Sequence, residues 1–384
     1  MRIPFVDLKA QYHSIQSEVD KAIAEVIANS AFIGGSDNSI VRYFEDKFAD
    51  YLGISNCVGC ANGTDSIEIL LKAMAIGPGD EVIVPANSWI STSEAVGNVG
   101  AQPIFVDSHP LFYTIDVDQI ESKISTRTKA IIPVHLYGLP ADMDPIVALA
   151  RKYDLFVLED CAQAHGAVYK GRMVGTMGHA ASFSFYPGKN LGAYGDAGCM
   201  VTNDADLAKT ARMIANHGQL VKHDHVIEGR NSRLDGIQAA VLSVKLPHLK
   251  RWTELRIRHA SYYSRYIQAL GIQVPSVPSG SVHVYHLYVI LAPAREDMRK
   301  RLQDAEISTA IHYPTPLPFL RPYAHHQRNQ PANFPIAVSQ MSKLLSLPMF
   351  PELRDVEMAE VVKEIEMFLK GENRSEKSAD VASR

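Results

Sequence analysis

Lys189 sits in the run Phe183-Ser184-Phe185-Tyr186-Pro187-Gly188-Lys189-Asn190-Leu191-Gly192, and an apolar stretch ending in Asp160-Cys161-Ala162-Gln163 lies one strand-and-helix step upstream. A carboxylate closing a buried strand, followed by a lysine in a Ser- and Gly-rich loop, is the set that pyridoxal 5′-phosphate (PLP) needs. The lysine forms a Schiff base, the carboxylate pairs with the pyridinium nitrogen, and hydroxyl and amide donors hold the phosphate. Asp160 follows Leu155-Phe156-Val157-Leu158-Glu159, so it is partly desolvated and needs a partner. A helix cap or a salt bridge would also meet that need. Gln163, a turn later, is within reach of the cofactor's ring hydroxyl, and Ser184 is placed to donate to a phosphate oxygen.

Further candidates fall after other strands. Asn62-Gly63-Thr64-Asp65 opens a helix; Asp65 with Glu68 reads as a capping box, and the amides of Gly63 and Thr64 suit a phosphate. A plain helix cap explains the same tetrapeptide. Trp89, in Pro85-Ala86-Asn87-Ser88-Trp89, is one of only two tryptophans. Its flat ring suits stacking on a flat cofactor, although a core or interface aromatic would look the same.

The elements that must position these residues follow from periodicity. Leu8, Tyr12, Ile15, Val19, Ile23 and Val26 predict one amphipathic helix, and Ile40, Phe44, Phe48 and Leu52 a second ending at Gly53. Strand-like runs then alternate with helical ones at 81–85, 102–107, 130–135, 155–159, 181–185 and 198–202. Their continuous Val/Ile/Phe content implies burial on both faces, hence an α/β fold with a mostly parallel sheet and helices on both faces. In such sheets ligands bind at the carboxyl ends of the strands, where the candidates lie. Beyond about Pro247 helices dominate, with a strand expected at 283–291 and a last helix ending at Gly371. The expected division is a large cofactor-binding α/β domain over 1–249, a smaller α+β domain over 250–371, and a disordered polar tail over 372–384.

Composition narrows the classes. The chain has 384 residues, 46% apolar, with a net charge of −4 and both signs interspersed. That gives no basic face for nucleic acid or an anionic membrane. No leader-like segment opens the chain and no apolar run is long enough to span a bilayer, so the expected location is cytoplasmic. Cys57-Val58-Gly59-Cys60 has no second cysteine pair nearby, which favours a buried structural pair over redox or metal use. The histidine pairs lack an H-E-x-x-H frame, so no metal is expected.

With these residues assembled, the chain resembles the sugar-nucleotide aminotransferases of the DegT/StrS group over nearly its whole length. The likeness is carried by Ala61–Asp65, Gly77–Pro85, Glu159–Ala167, Phe183–Gly192 and Asn231–Ala240. It implies a type I, aspartate aminotransferase-like PLP fold, with pyridoxamine phosphate as the alternate cofactor form. By that resemblance Lys189 is catalytic, and Gly63, Thr64, Trp89, Asp160, Gln163 and Ser184 hold the cofactor. Asn231 reaches the cofactor of the partner subunit in a homodimer with shared sites. His312 and Tyr313 lie in a loop that closes over the substrate. The implied donor is L-glutamate and the implied acceptor a keto sugar nucleotide. The motifs look most like enzymes acting at C3 of a dTDP-3-keto-6-deoxyhexose, giving a dTDP-3-amino-3,6-dideoxyhexose for surface glycan (O-antigen, lipopolysaccharide) synthesis. Amination at C4, a UDP- or GDP-linked sugar, and a non-catalytic PLP-binding sensor are the alternatives. Sugar dehydratases of the group carry histidine in place of the lysine, which this chain keeps.

Overall fold

The structure, a computed structural model, describes residues 2–33 and 39–382. The N-terminal helix is broken in two, α1 (Leu8–Ser14) and α2 (Gln16–Ala28), at Ile15 (φ −130°, ψ 18°). The expected single helix fails there for a local reason. Ser14 Oγ turns back onto the Gln11 carbonyl (2.7 Å), and Ile15 is drawn into a cluster with Val19, Val241 and Trp252. Helix α3 (Ser39–Leu52) buries Phe44, Phe48 and Leu52 as its spacing predicts.

The α/β body follows: β1 (Asn56–Cys60), α4 (Gly63–Ala73), β2 (Glu81–Pro85), α5 (Ser91–Asn98), β3 (Gln102–Val106), α6 (Val117–Ile120), β4 (Thr128–Ile131), α7 (Met143–Tyr153) and β5 (Phe156–Asp160). Two short strands, β6 (Val168–Tyr169) and β7 (Arg172–Met173), precede β8 (Ala180–Ser184), β9 (Gly198–Thr202), α8 (Ala205–Ala215) and α9 (Gly236–Lys245). Seven strands form one sheet in the order β1-β9-β8-β5-β4-β2-β3. β9 alone runs against its neighbours, and the other adjacent pairs are parallel. Because β9 is antiparallel to both β1 and β8, those two strands point the same way as β5 and β2. Their carboxyl ends therefore share one edge. Core clusters on both faces account for the unbroken apolar strands: Ile67, Leu70 and Leu71 of α4 cover one side, Phe44 and Phe48 of α3 the other.

The rest builds a second, smaller core from α10 (Leu249–Gln268), β11 (Tyr288–Leu291), α11 (Arg295–Asp304), β12 (Leu344–Leu347) and α13 (Asp355–Ala382), whereas β10 (Ser281–Val282) and α12 (Pro335–Met341) pack back onto the α/β body. Ile3 packs into this second core and pairs with Ile307. Of the strand expected over 283–291 only its end forms, β11, which pairs with β12; β10 lies just before the expected span and pairs with β6. Between them the backbone binds a turn instead, Val284 N to Gly138 O (3.0 Å) and Leu287 N to Tyr137 O (3.2 Å). Helix α13 does not stop at Gly371; its backbone runs on to Ala382, where a disordered tail was expected. A helix-interior glycine costs only about 1 kcal/mol, and no proline follows it. Residues 383–384 lie outside the described residues.

Candidate active site

The shared carboxyl edge of β1, β2, β5 and β8 opens into a cleft of about 830 Å³. Gly63, Thr64, Trp89, Asp160, Gln163, Ser184, Lys189, His312 and Tyr313 all line it. Asn231 does not: it is exposed outside this cleft, its backbone bridged to Asn216.

After β1 the chain turns directly into α4. Asn62 is the cap, its Oδ1 accepting from Asp65 N (2.8 Å), so the expected Asp65–Glu68 capping box is corrected. Those two carboxylates instead pair with Arg230, at 3.0 and 2.7 Å. Capping occupies the Asp65 amide, and the first intrahelical bond is Ser66 N to Asn62 O (3.2 Å). The amides left over at this helix start are those of Gly63 and Thr64, which are positioned for an anion. Ser182 Oγ donates to the Gly63 carbonyl (3.2 Å), holding α4 against β8. A Cβ on Gly63 would lie 2.6 Å from Ser184 Cβ, so only glycine brings these amides and the Ser184 hydroxyl into one cradle.

Asp160 ends β5 with its backbone locked to the chain beyond β4 by two bonds, Asp160 N to Pro133 O (2.9 Å) and His135 N to Asp160 O (3.1 Å). Its carboxylate accepts from Thr92 Oγ1 (2.9 Å) and Ala162 N (3.1 Å). Burial pushes its pKa up, against the Ala162 amide, the Thr92 hydroxyl and the Lys189 ammonium, which draw it down. It is a buried charge short of a cationic partner, as a carboxylate facing a pyridinium would be.

Lys189 follows β8 on a turn closed by its own amide to the Tyr186 carbonyl (2.8 Å). Gly192 is obligatory in that turn, since a Cβ there would meet the Pro187 carbonyl oxygen at 2.3 Å. Burial lowers the Lys189 pKa to about 8, with Asp160 pulling the other way. Burial also holds His165 at about 3 and His312 at about 4, and drives His286 well below its usual value. The imidazoles around Lys189 are thus neutral, and the amine and Asp160 are the charged groups at its centre.

The far wall is tied across the cleft. Gln163 Oε1 accepts from Tyr137 N (2.6 Å), and its Nε2 donates to Tyr313 Oη (2.9 Å). Tyr137 Oη donates to the His312 carbonyl and accepts from Asn87 Nδ2 (3.1 Å). Trp89, 58% exposed, stands 5.8 Å from the Tyr313 ring. Sequence reasoning did not find Thr92, His286, Arg256 or Met349. Their signal lies in long-range placement, although a threonine one turn beyond Ser88 in the segment after β2 was visible.

A second group of potential ligands, His135, Glu159 and Cys161, lies buried beside Asp160. Its histidine and carboxylate are already matched. His135 Nδ1 accepts from Ala141 N (3.0 Å), so Nε2 donates to Glu159 (3.0 Å). Glu159 also accepts from the amides of Gly175, Met177 and Gly178 (2.6–2.7 Å).

A sequence profile described as the DegT/DnrJ/EryC1/StrS aminotransferase family matches residues 13–366. The chain is 44% identical to a "pleiotropic regulatory protein" of Geobacillus stearothermophilus, covering 96% of this chain and 99% of that one. It is also 44% identical to the UDP-N-acetyl-3-dehydro-alpha-D-glucosamine 3-aminotransferase of Acidithiobacillus ferrooxidans, covering 96% and 98%. Transaminases named for dTDP-, UDP- and GDP-linked sugars all stand among the relatives. Among solved structures, S. venezuelae DesV in complex with a ketimine intermediate superposes with a TM-score of 0.92 at 40% identity, covering 96% of this chain and 98% of that one. One solved neighbour holds the cofactor PMP.

Proposed function

Because the chain belongs to the DegT/DnrJ/EryC1/StrS aminotransferase family, whose members depend on PLP, we propose that it moves the amino group of L-glutamate to C3 of a dTDP-3-keto-6-deoxyhexose. The observation that carries the reading is the convergence, on one sheet edge, of an amine, an under-partnered buried carboxylate and the two spare amides of α4. When bound, PLP supplies an electron sink for charge developing at the carbon that loses a proton.

The chain's own groups have separable tasks. Lys189, with a pKa near 8, is poised to take a proton and give it back close to neutral pH. Asp160 holds a proton on the ring nitrogen, and Thr92 and Ala162 fix the carboxylate for that task. Gly63, Thr64 and Ser184 receive the phosphate, and Trp89 flanks the ring. Gln163 keeps the ring hydroxyl side in register with the Tyr137 turn. His312 and Tyr313 close the cleft over the sugar. Residues 1–249 and 250–371 act as the cofactor-binding and closing units. Asn231, exposed on the protomer, reaches the neighbouring site in a homodimer. The setting is the cytoplasm and the product serves surface glycan synthesis.

C3 is favoured because relatives 41–44% identical to the chain and named for a sugar reaction carry a 3-amino or 3-dehydro designation. The same names divide between dTDP and UDP. A panel of dTDP-, UDP- and GDP-linked 3-keto and 4-keto sugars, with products assigned by NMR, tests the proposal. It expects turnover on a dTDP-linked 3-keto sugar; exclusive turnover of a 4-keto or UDP-linked sugar overturns the finer assignment.

A further inference from the structure

Arg256, on α10, lines the cleft and is only 4% exposed. One edge of its guanidinium is spent on the protein: Nη1 donates to the carbonyls of Met349 (2.8 Å) and Tyr285 (3.1 Å), and more distantly to His286 (3.5 Å). Its Nε is buried with no partner. Among the described residues no carboxylate forms an ion pair with it. Glu352 acts on it from farther off, and also on buried Lys245, whose Nζ is committed to the Gly192 carbonyl (2.7 Å). A desolvated guanidinium with a vacant donor is costly unless an anion completes it, and a carboxylate fits its forked donors.

Its surroundings say which anion. The phosphate cradle lies elsewhere, at the start of α4 and at Ser184. Arg256 adjoins His286, which itself feels both Arg256 and Lys189. An anion at Arg256 therefore belongs to a small molecule reacting beside Lys189. A sugar nucleotide's diphosphate, bulky and strongly hydrated, is a poor fit to a guanidinium that is only 4% exposed. We infer that Arg256 binds a carboxylate of the amino-group donor and so directs the donor's amine toward Lys189. This rests on the aminotransferase reading and adds the residue that selects an amino acid as donor.

The test uses the full-length holoenzyme and its Arg256→Gln and Arg256→Lys variants. Three quantities are measured: binding of glutarate, an unreactive dicarboxylate, by calorimetry; the L-glutamate concentration that half-saturates cofactor bleaching; and binding of dTDP. Arg256→Gln is expected to weaken glutarate binding and raise glutamate half-saturation by about 30- to 100-fold, the worth of a charged hydrogen-bonded contact. Arg256→Lys, which keeps a cation for the three carbonyls, should cost about tenfold and carries the test if the glutamine variant does not fold. dTDP binding should stay within about twofold, since the charge lost lies away from the nucleotide. Unchanged glutarate binding and glutamate half-saturation in the variants would overturn the inference, as would a loss confined to dTDP. If glutamate leaves wild type unbleached but glutarate binding still depends on Arg256, the donor assignment fails while the carboxylate site stands.

Discussion

Glu159 and Asp160 are neighbours on β5, yet they point into different regions and have opposite electrostatics. Glu159 faces the interior, where four donors surround it. Burial would raise its pKa, but His135 and the backbone amides outweigh burial and hold it below the usual range. Asp160 faces the cleft with two donors, and burial wins. The same contrast separates two lysines, each lowered to about 8 by burial. Lys245 is fully buried and occupied by the Gly192 carbonyl beneath the Tyr194 ring, whereas Lys189 opens to the cleft. A structural charge in this protein is saturated by its own chain. A functional charge is left one partner short, and the missing partner is what the site binds.

Substitutions that exchange the two roles should break this contrast. Lys189→Ala, at the unsaturated end, should lower turnover by about five to six orders of magnitude, as loss of a reacting group does. Circular dichroism should show the fold retained; measurable steady-state turnover would refute the role. Asp160→Asn should cut turnover about a thousandfold with little loss of stability. Glu159→Gln should do the reverse, costing about 2–4 kcal/mol in urea unfolding, because an amide proton would face donors already in place. Equal effects of the two on turnover and stability would erase the distinction.

The pH dependence sharpens it. Neutral Lys189 amine accumulates as pH rises through about 8, so labelling of the cofactor-free protein by an amine reagent should show its inflection there. Since Asp160 holds the ammonium form, Asp160→Asn should move that inflection lower. An inflection near the ordinary lysine value of 10.5 would show that burial does not act on this lysine. The smallest effect belongs to Asn62→Ala, about 1 kcal/mol from a lost helix cap, read from the urea midpoint.

Much of this contrast was legible in the residue order. Asp160 at the end of an apolar run and Lys189 between Ser184 and Gly192 announce themselves locally, because strand burial and turn chemistry act over a few residues. Glu159 gave no sign of its role, since its partners His135 and Gly175–Gly178 come from separate loops. Strand β1, Asn-Cys-Val-Gly-Cys, was missed because only one of its residues is β-branched; its pairing with β9 comes from tertiary context. Helix α5 begins Ser-Thr-Ser, a poor helix former held in place by burial of Thr92, Ala95 and Val96. Arg256 looked like any charged residue on an amphipathic helix. Its meaning depends on Tyr285 and Met349, brought to it by the second core.

The most direct measurement is the visible absorption of the purified protein loaded with PLP, before and after L-glutamate. The account predicts a yellow band that requires Lys189 and that glutamate bleaches. A protein that stays colourless with added PLP, or a Lys189→Ala variant with the wild-type band and response, would contradict it.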